Sequence, residues 1–136
     1  MNAAAQPKPI ACVPIRIRWR DLDAFNHVNN STFLTYLEEA RLHWFSGLGD
    51  GWISDAGAPV IAASQVNFRR QLTWPGEIIV ELFVERVGTT SLTIAHRIVG
   101  ANEDHLYSDG SVVLVWVAAD SGRPVPLPEV VRNASE

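Results

Sequence analysis

The sequence predicts an α+β domain in which one amphipathic helix covers one face of an antiparallel sheet. Two observations carry this. Phe33, Leu34, Tyr36, Leu37, Ala40, Trp44 and Phe45 recur at three- and four-residue intervals, the spacing of a helix face. From Val60 to Ala119 the chain is instead rich in β-branched and aromatic residues, broken by WPG, Gly88 and ANED. Helix and strands are thus segregated along the chain rather than alternating, which favours α+β layering.

The first strand precedes the helix. Ile15, Ile17 and Trp19 alternate with Arg16, Arg18 and Arg20, so at a strand's period of two the core lies on the Ile/Trp side. The arginines either face water and pair with acids or form a local anion site. Next comes DLDAFNHVNNS, dense in Asp, Asn and His and poor material for a regular element. Asn30, Ser31 or Thr32 is expected to cap the helix, and Gly47 or Gly49 to end it. Residues 50–59 read as a connection with a single helical turn around Trp52 and Ile53.

Four strand-like segments follow: VIAASQVNFRRQL, EIIVELFVERV, TTSLTIAHRIV and LYSDGSVVLVWVAA. In the second, Ile78, Val80, Leu82 and Val84 make one solid apolar face, and Gly110 in the last suggests a bulge or bend. DSGR then turns, and PVPLPEVV reads as an extended segment lying over the domain. Ile94, Ile98, Val113, Val115, Trp116 and Val117 leave enough apolar surface for self-association. The organisation expected is a flexible lead over 1–12, one domain over 13–131 and a frayed end over 132–136.

Composition narrows the function. The chain has 136 residues, one cysteine and a formal net charge of -4. That suits one domain with its own core and excludes a disulfide scaffold or a cysteine-rich zinc module. Lys8 is the sole lysine, which argues against broad nucleic-acid or anionic-membrane binding. No apolar run approaches the roughly 18 residues of a membrane span, so a soluble, cytoplasmic protein is expected.

The densest polar cluster is Asp21, Asp23, His27, Asn29 and Asn30, between a strand end and a helix start. Unpaired N–H groups and the positive end of the helix dipole suit that end to a carbonyl oxygen gaining charge. Asp23 is then the group to attack an electrophilic carbon or to take a proton from an attacking water. Such Asx residues also cap helices and make turns. Asp21 and Asp23 also suggest a proton-sharing pair. A metal needs ligands beyond Asp21, Asp23 and His27, and His43, His96 and His105 sit in unrelated elements, so no metal is expected. Ser64, Ser91 and Ser111 lie in no nucleophile elbow, Cys12 has no adjacent base, and the glycines form no phosphate loop. Hydrolysis or ligand binding remains.

The run RWRDLDAFNHVNNSTFLTYLEEAR, residues 18–41, resembles the N-terminal signature of the hotdog-fold acyl-CoA thioesterases of the 4-hydroxybenzoyl-CoA thioesterase superfamily. VNFRRQLTWPGEIIVELFVERVGTTSLTIAHRI and GRPVPLP resemble the family's sheet region and its usual end. The resemblance implies a long helix wrapped by a curved antiparallel sheet, dimers that often pair into tetramers, and sites at the dimer interface. It implies hydrolysis of acyl-CoA without a cofactor, with Asp23 as nucleophile or general base. The thioester carbonyl would be polarised by backbone N–H groups at Asn30, Ser31, Thr32 and Phe33.

Many relatives carry His or Tyr where this chain has Asn30, which casts Asn30 as a positioning or capping residue and His27 as orienting Asp23 or shaping the loop. The resemblance further implies a partner-subunit contribution from Ser64 or Gln65. Arg69, Arg70 and Arg86 are the candidate partners of coenzyme A phosphates. Phe25, Phe33, Leu34, Leu37 and Trp74 either line the acyl pocket or serve the core. The alternatives are a non-catalytic acyl-thioester binding or assembly module, an acyl-carrier-protein thioesterase, or a hydratase.

Overall fold

The computed structural model describes residues 7–136. Strand β1 (Ala11–Ile17) leads through a short 3-10 turn and the polar loop into helix α1 (Asn30–Ser46). Strands β2 (Ala58–Phe68), β3 (Gly76–Val87), β4 (Ser91–Gly100) and β5 (Leu106–Val117) follow, and a short helix α2 (Glu129–Ala134) closes the chain. The five strands form one sheet in the order β1-β3-β4-β5-β2, antiparallel throughout. The curved sheet wraps α1, which is the expected α+β hotdog architecture.

The helix stripe does what its periodicity predicts. Phe33, Tyr36, Leu37, Ala40, Trp44 and Phe45 are buried against Val13, Ile15, Ile78, Val80, Leu82, Ile94 and Leu114. Each of the larger side chains contributes about 1.5–3 kcal/mol by leaving water. Trp116 anchors the far end: its ring meets Phe45 edge-on at 5.9 Å, and its Nε1 donates to the Trp52 carbonyl at 2.9 Å. Trp52 in turn stacks on Phe45 at 4.8 Å, so the connection after α1 is pinned by aromatic contacts. It contains turns and bends but no helical turn at Trp52 and Ile53.

Several local expectations change. Residues 1–6 of the expected lead lie outside the described residues, but Ala11 and Cys12 already pair with Leu82 and Glu81 in β1. β1 ends at Ile17, and the 3-10 turn over Trp19–Asp21 leaves Trp19 70% exposed instead of in the core. Gly110 makes no bulge: it stays in register with Val66 and His96 at a φ of 151°. A Cβ there would collide with the Gln65 carbonyl oxygen, so the glycine permits close approach of two backbones. The register shifts fall instead at Ile61/Ala63, Val84/Arg86 and Ile98/Val99.

The chain end is helical where fraying was expected. Val131 is fully buried, and Arg132 Nη2 donates to the Gly88 carbonyl at 2.9 Å, docking α2 on the β3–β4 turn. The proposed self-association face divides in two. Ile94, Ile98 and Trp116 are buried in the core, whereas Val113, Val115 and Val117 are half-buried on the opposite face. The longer unpartnered surface is β2, an edge strand exposing Val60, Ile61 and Phe68. Among the described residues no helix is long and apolar enough to cross a membrane.

Candidate active site

The loop between β1 and α1 is built around two aspartates with different surroundings. Asp21 is buried; it accepts from Tyr36 Oη at 2.6 Å, from the Arg18 backbone N–H at 2.9 Å and from Arg18 Nη2 at 3.2 Å. Burial by itself would raise its pKa, but the Tyr36 and Arg18 hydrogen bonds outweigh that and hold it below the ordinary carboxylate value. Burial, then the bond to Asp21, raises the Tyr36 phenol above its usual value. Asp21 is thus the clamp joining the loop's base to α1. No hydrogen bond joins it to Asp23 among the described residues, and Arg18 is committed to it, so no three-arginine anion site forms on β1.

Beyond the clamp the loop folds back on itself. Leu22 bridges Val28, the Asp23 N–H donates to the His27 carbonyl at 2.9 Å, and Asn26 takes a left-handed φ of 62° at the turn. Val28 N–H donates to the Leu72 carbonyl at 2.8 Å, which fastens the loop to the segment after β2. These bonds place Asp23 on the loop's shoulder and leave Phe25 at its tip, 80% exposed.

The Asp23 carboxylate is held from two sides. Oδ1 accepts from the Phe25 N–H at 2.9 Å and Oδ2 from Asn29 Nδ2 at 3.3 Å. Asn29 also caps α1, its Oδ1 accepting from Ser31 N–H at 2.9 Å and Ser31 Oγ at 2.7 Å. The cap is therefore Asn29 and not Asn30, Ser31 or Thr32. Asn29 reaches the Asp23 carboxylate through its side chain, whereas His27 bonds to Asp23 through its backbone carbonyl. The Thr32 and Phe33 N–H groups donate to the Asn29 carbonyl, at 2.9 and 3.3 Å. Of the four N–H groups expected to polarise a carbonyl, Asn30's alone has no partner among the described residues.

These groups open into a cavity of about 690 Å³. Asp23, Phe25 and His27 line it from the loop, Asn30 and Phe33 from α1, and Phe68, Arg69, Arg70 and Gln71 from the end of β2 and beyond. Phe33 and Phe68 meet edge-on at 5.2 Å and form its apolar wall. The two arginines differ. Arg69 Nε donates to Asp109 Oδ1 at 3.0 Å, where Asn67 Nδ2 also donates at 3.0 Å, while Arg70 joins no ion pair among the described residues. Burial raises the Asp109 carboxyl, but these two bonds outweigh it and keep it below its usual value.

The remaining expected site residues lie elsewhere. Arg86 sits near the end of β3, opposite Thr93, ten residues and about 33 Å of strand from the site end at Gly76. Ser64 and Gln65 are exposed on β2 outside the cavity. Leu34 and Leu37 line a smaller neighbouring hollow, and Trp74 is exposed outside both. No group of three metal-ligating side chains occurs among the described residues. Sequence reasoning missed the parts played by Asn29, Tyr36 and Asp109. The signal for Asn29 was its place immediately before the helix; Tyr36 read as core, and Asp109 gave no signal.

Comparison with known proteins matches residues 17–135 to the thioesterase-like superfamily. The PA2801 protein of Pseudomonas aeruginosa, a candidate thioesterase, is 35% identical, with 95% of this chain and all of that one covered and a TM-score of 0.89. A candidate acyl-CoA thioesterase from Xanthomonas campestris is 51% identical, covering 84% of this chain and 96% of that one at a TM-score of 0.76. A Thermus thermophilus thioesterase, solved with coenzyme A and Zn, is 34% identical over 92% of this chain and 96% of its own, with a TM-score of 0.77.

Proposed function

The chain belongs to the thioesterase-like superfamily, and from that membership we propose that it hydrolyses acyl-CoA thioesters at the Asp23 cavity. One observation supports this above the others: Asp23, coupled through Asn29 to the start of α1, shares an open cavity with Asn30, whose backbone N–H has no partner among the described residues. A thioester carbonyl oxygen resting on the Asn30 N–H gains stabilisation as it becomes an oxyanion, from a donor that needs no reorganisation. The carbonyl carbon then faces the carboxylate.

Two routes use this arrangement. As general base, Asp23 takes a proton from water while the water oxygen bonds to the carbonyl carbon; the tetrahedral intermediate collapses, the C–S bond breaks, and the thiolate leaves and is protonated. As nucleophile, an Asp23 oxygen bonds to that carbon and expels the thiolate, and water hydrolyses the resulting anhydride. Solvent ¹⁸O entering the Asp23 carboxylate during one turnover marks the second route.

Coenzyme A carries phosphates, and Arg70 lines the cavity with no carboxylate partner among the described residues. Arg69 is committed to Asp109, and Arg86 is too distant on its own chain. The exposed β2 edge supports self-association: its outward N–H and C=O groups are a template for a second copy. In such a dimer Ser64 or Gln65 is placed to serve the partner's cavity. Asn30 positions substrate through its amide, and His27 shapes the wall.

The test is thiol release across short, medium, long and aromatic acyl-CoAs and an acyl-carrier-protein thioester, with wild type and Asp23→Asn. Turnover is expected to fall by about 10²–10⁴ with binding retained. Undiminished thiol release by Asp23→Asn overturns the assignment; binding by wild type without any release identifies a binding module.

A further inference from the structure

The Asp23 cavity shares an arginine with a second cavity. Arg70 and Gln71 line both, and the second, of about 510 Å³, is completed from the start of β3, the β4–β5 turn and the first residues of β5, with Glu77, Glu103, His105 and Tyr107 among its walls. Two carboxylates thus line a cavity together with Arg70. Among the described residues it pairs with neither. Glu77 stands across from Arg16 in the β1–β3 register and so has a cation beside it, which leaves Glu103 as the carboxylate to account for.

The two adjacent arginines meet opposite fates. Arg69 Nε donates to Asp109 Oδ1 at 3.0 Å, whereas Glu103 is taken by a phenol: Tyr107 Oη donates to Glu103 Oε1 at 2.5 Å. Tyr107 is buried, and its backbone carbonyl accepts from the N–H groups of Arg69 and Arg70, at 2.9 and 3.3 Å. One residue therefore fixes the backbone of the arginine pair and holds a carboxylate that shares a cavity with the free member of it. Both charges reach the phenol. Burial, then the bond to Glu103 and its charge, raise the Tyr107 pKa to about 12 against the opposing charge of Arg70, so at neutral pH the hydroxyl keeps its proton and stays the donor.

Resting on the reading that Arg70 meets the phosphates of coenzyme A, we propose that Tyr107 is a positioning residue for that contact: its hydroxyl holds Glu103 off Arg70 and so keeps the guanidinium free for the anionic ligand. Without the phenol, Glu103 is a flexible carboxylate in the same cavity as an unpaired cation, and Coulomb attraction brings the two together. A phosphate then has to displace a carboxylate. The effect falls on binding and spares the chemistry, since neither Tyr107 nor Glu103 lines the Asp23 cavity.

The experiment is a mutant cycle read by KM and kcat for an acyl-CoA and, independently of turnover, by the Kd of free coenzyme A in calorimetry. Tyr107→Phe keeps the ring and removes the hydroxyl; it should raise KM and Kd about three- to fivefold at low salt, the size expected of an exposed ion pair, with kcat within about 1.5-fold of wild type. At about 0.5 M salt the rise should shrink below about twofold, because exposed charges are screened. In Glu103→Gln the competing charge is gone, so adding Tyr107→Phe should move Kd by no more than about 1.5-fold. A rise that persists in the Glu103→Gln background makes the part of Tyr107 purely structural and overturns the proposal, as does the absence of any rise in the wild-type background. Arg70→Gln tests the premise: it should weaken coenzyme A binding and abolish the effect of Tyr107→Phe. Weaker binding in Arg70→Gln with none in Tyr107→Phe overturns the proposal alone and leaves the phosphate contact standing. An unchanged Kd in Arg70→Gln, or no binding by wild type, overturns the contact and the proposal together, while the role of Asp23 is still decided by thiol release from Asp23→Asn.

Discussion

Asn29 joins Asp23 to the start of α1: its Nδ2 donates to Asp23 Oδ2 at 3.3 Å while its Oδ1 accepts from the Ser31 N–H at 2.9 Å. One amide thus performs two tasks that need opposite polarity, donating to a carboxylate and accepting from a helix end. An ionised Asp, which only accepts, cannot do both. The link also ties Asp23 to the helix start beside Asn30, whose N–H has no partner among the described residues.

Replacing Asn29 separates those tasks. Asn29→Ala loses the cap, costing about 1 kcal/mol, and frees one Asp23 oxygen. Asn29→Asp keeps the cap acceptor but sets a second carboxylate beside Asp23. Like charges raise the pKa of the pair, so the acid limb of the kcat/KM–pH profile should move to higher pH in Asn29→Asp, and by less in Asn29→Ala, which loses a donor without gaining a charge. Thermal unfolding follows the first effect and the pH profile the second. A profile unchanged in Asn29→Asp refutes the coupling.

The Asp21–Tyr36 clamp makes a separate prediction about stability. Tyr36→Phe deletes the 2.6 Å bond and leaves a buried carboxylate short of a donor, at a cost of about 1–3 kcal/mol. The folded-state pKa of Asp21 is depressed, so its contribution is present above the unfolded value near 3.9 and is lost as pH falls through the lower folded value. Because Tyr36→Phe removes one of the bonds that lower that pKa, urea unfolding between pH 7 and 3 should show a smaller loss on acidification than wild type. An equal acid-induced loss in both proteins removes the clamp from the account.

Much of this was legible in the residues, and the parts that were not share physical reasons. The Phe33–Phe45 stripe was readable because helical spacing and core burial are one statement, and Asp23 stood out because it lies in the densest polar cluster of the chain, just before a helix start. Cap identity was not readable from HVNNS, where every Asx or Ser is a competent cap; the Leu22–Val28 bridge decides where the chain turns helical. Alternation through Trp19 showed which side was apolar but not that the strand had already ended at Ile17. Arg86 resembled Arg69 and Arg70 in type, and only the antiparallel register sends it to the opposite end of the sheet. Pro128 before EVVRN opens α2, a helix-start signal hidden among prolines that otherwise read as extended chain.

His96, buried in the sheet, carries a second prediction about acid sensitivity. Its folded-state pKa of about 4 lies below the unfolded value near 6.5, so between those values the unfolded chain binds more protons and stability falls as the pH is lowered. The loss is complete near pH 4 and amounts to roughly 3 kcal/mol at most. His96→Gln, which keeps a polar partner for Ser108, should flatten the stability profile over pH 6.5–4 while leaving Asp21's more acidic step in place. Denaturant unfolding across that window decides it, and a slope equal to wild type's counts against the buried neutral imidazole.

The β2 edge carries the last prediction. Ala63 is exposed on that strand in register with Val113, on the face of the sheet away from α1. If two copies join through β2, Ala63 lies near the strand centre, where an antiparallel partner brings like residues close together. Ala63→Lys then sets two cations near one another and adds the charge by which natural edge strands resist pairing. The dimer dissociation constant, measured by sedimentation, should rise tenfold or more with monomer stability within about 0.5 kcal/mol of wild type. Under the proposed partner-subunit contribution of Ser64 or Gln65, specific activity should fall in step with the dimer fraction. Full activity in a monomeric Ala63→Lys protein would confine the site to one chain.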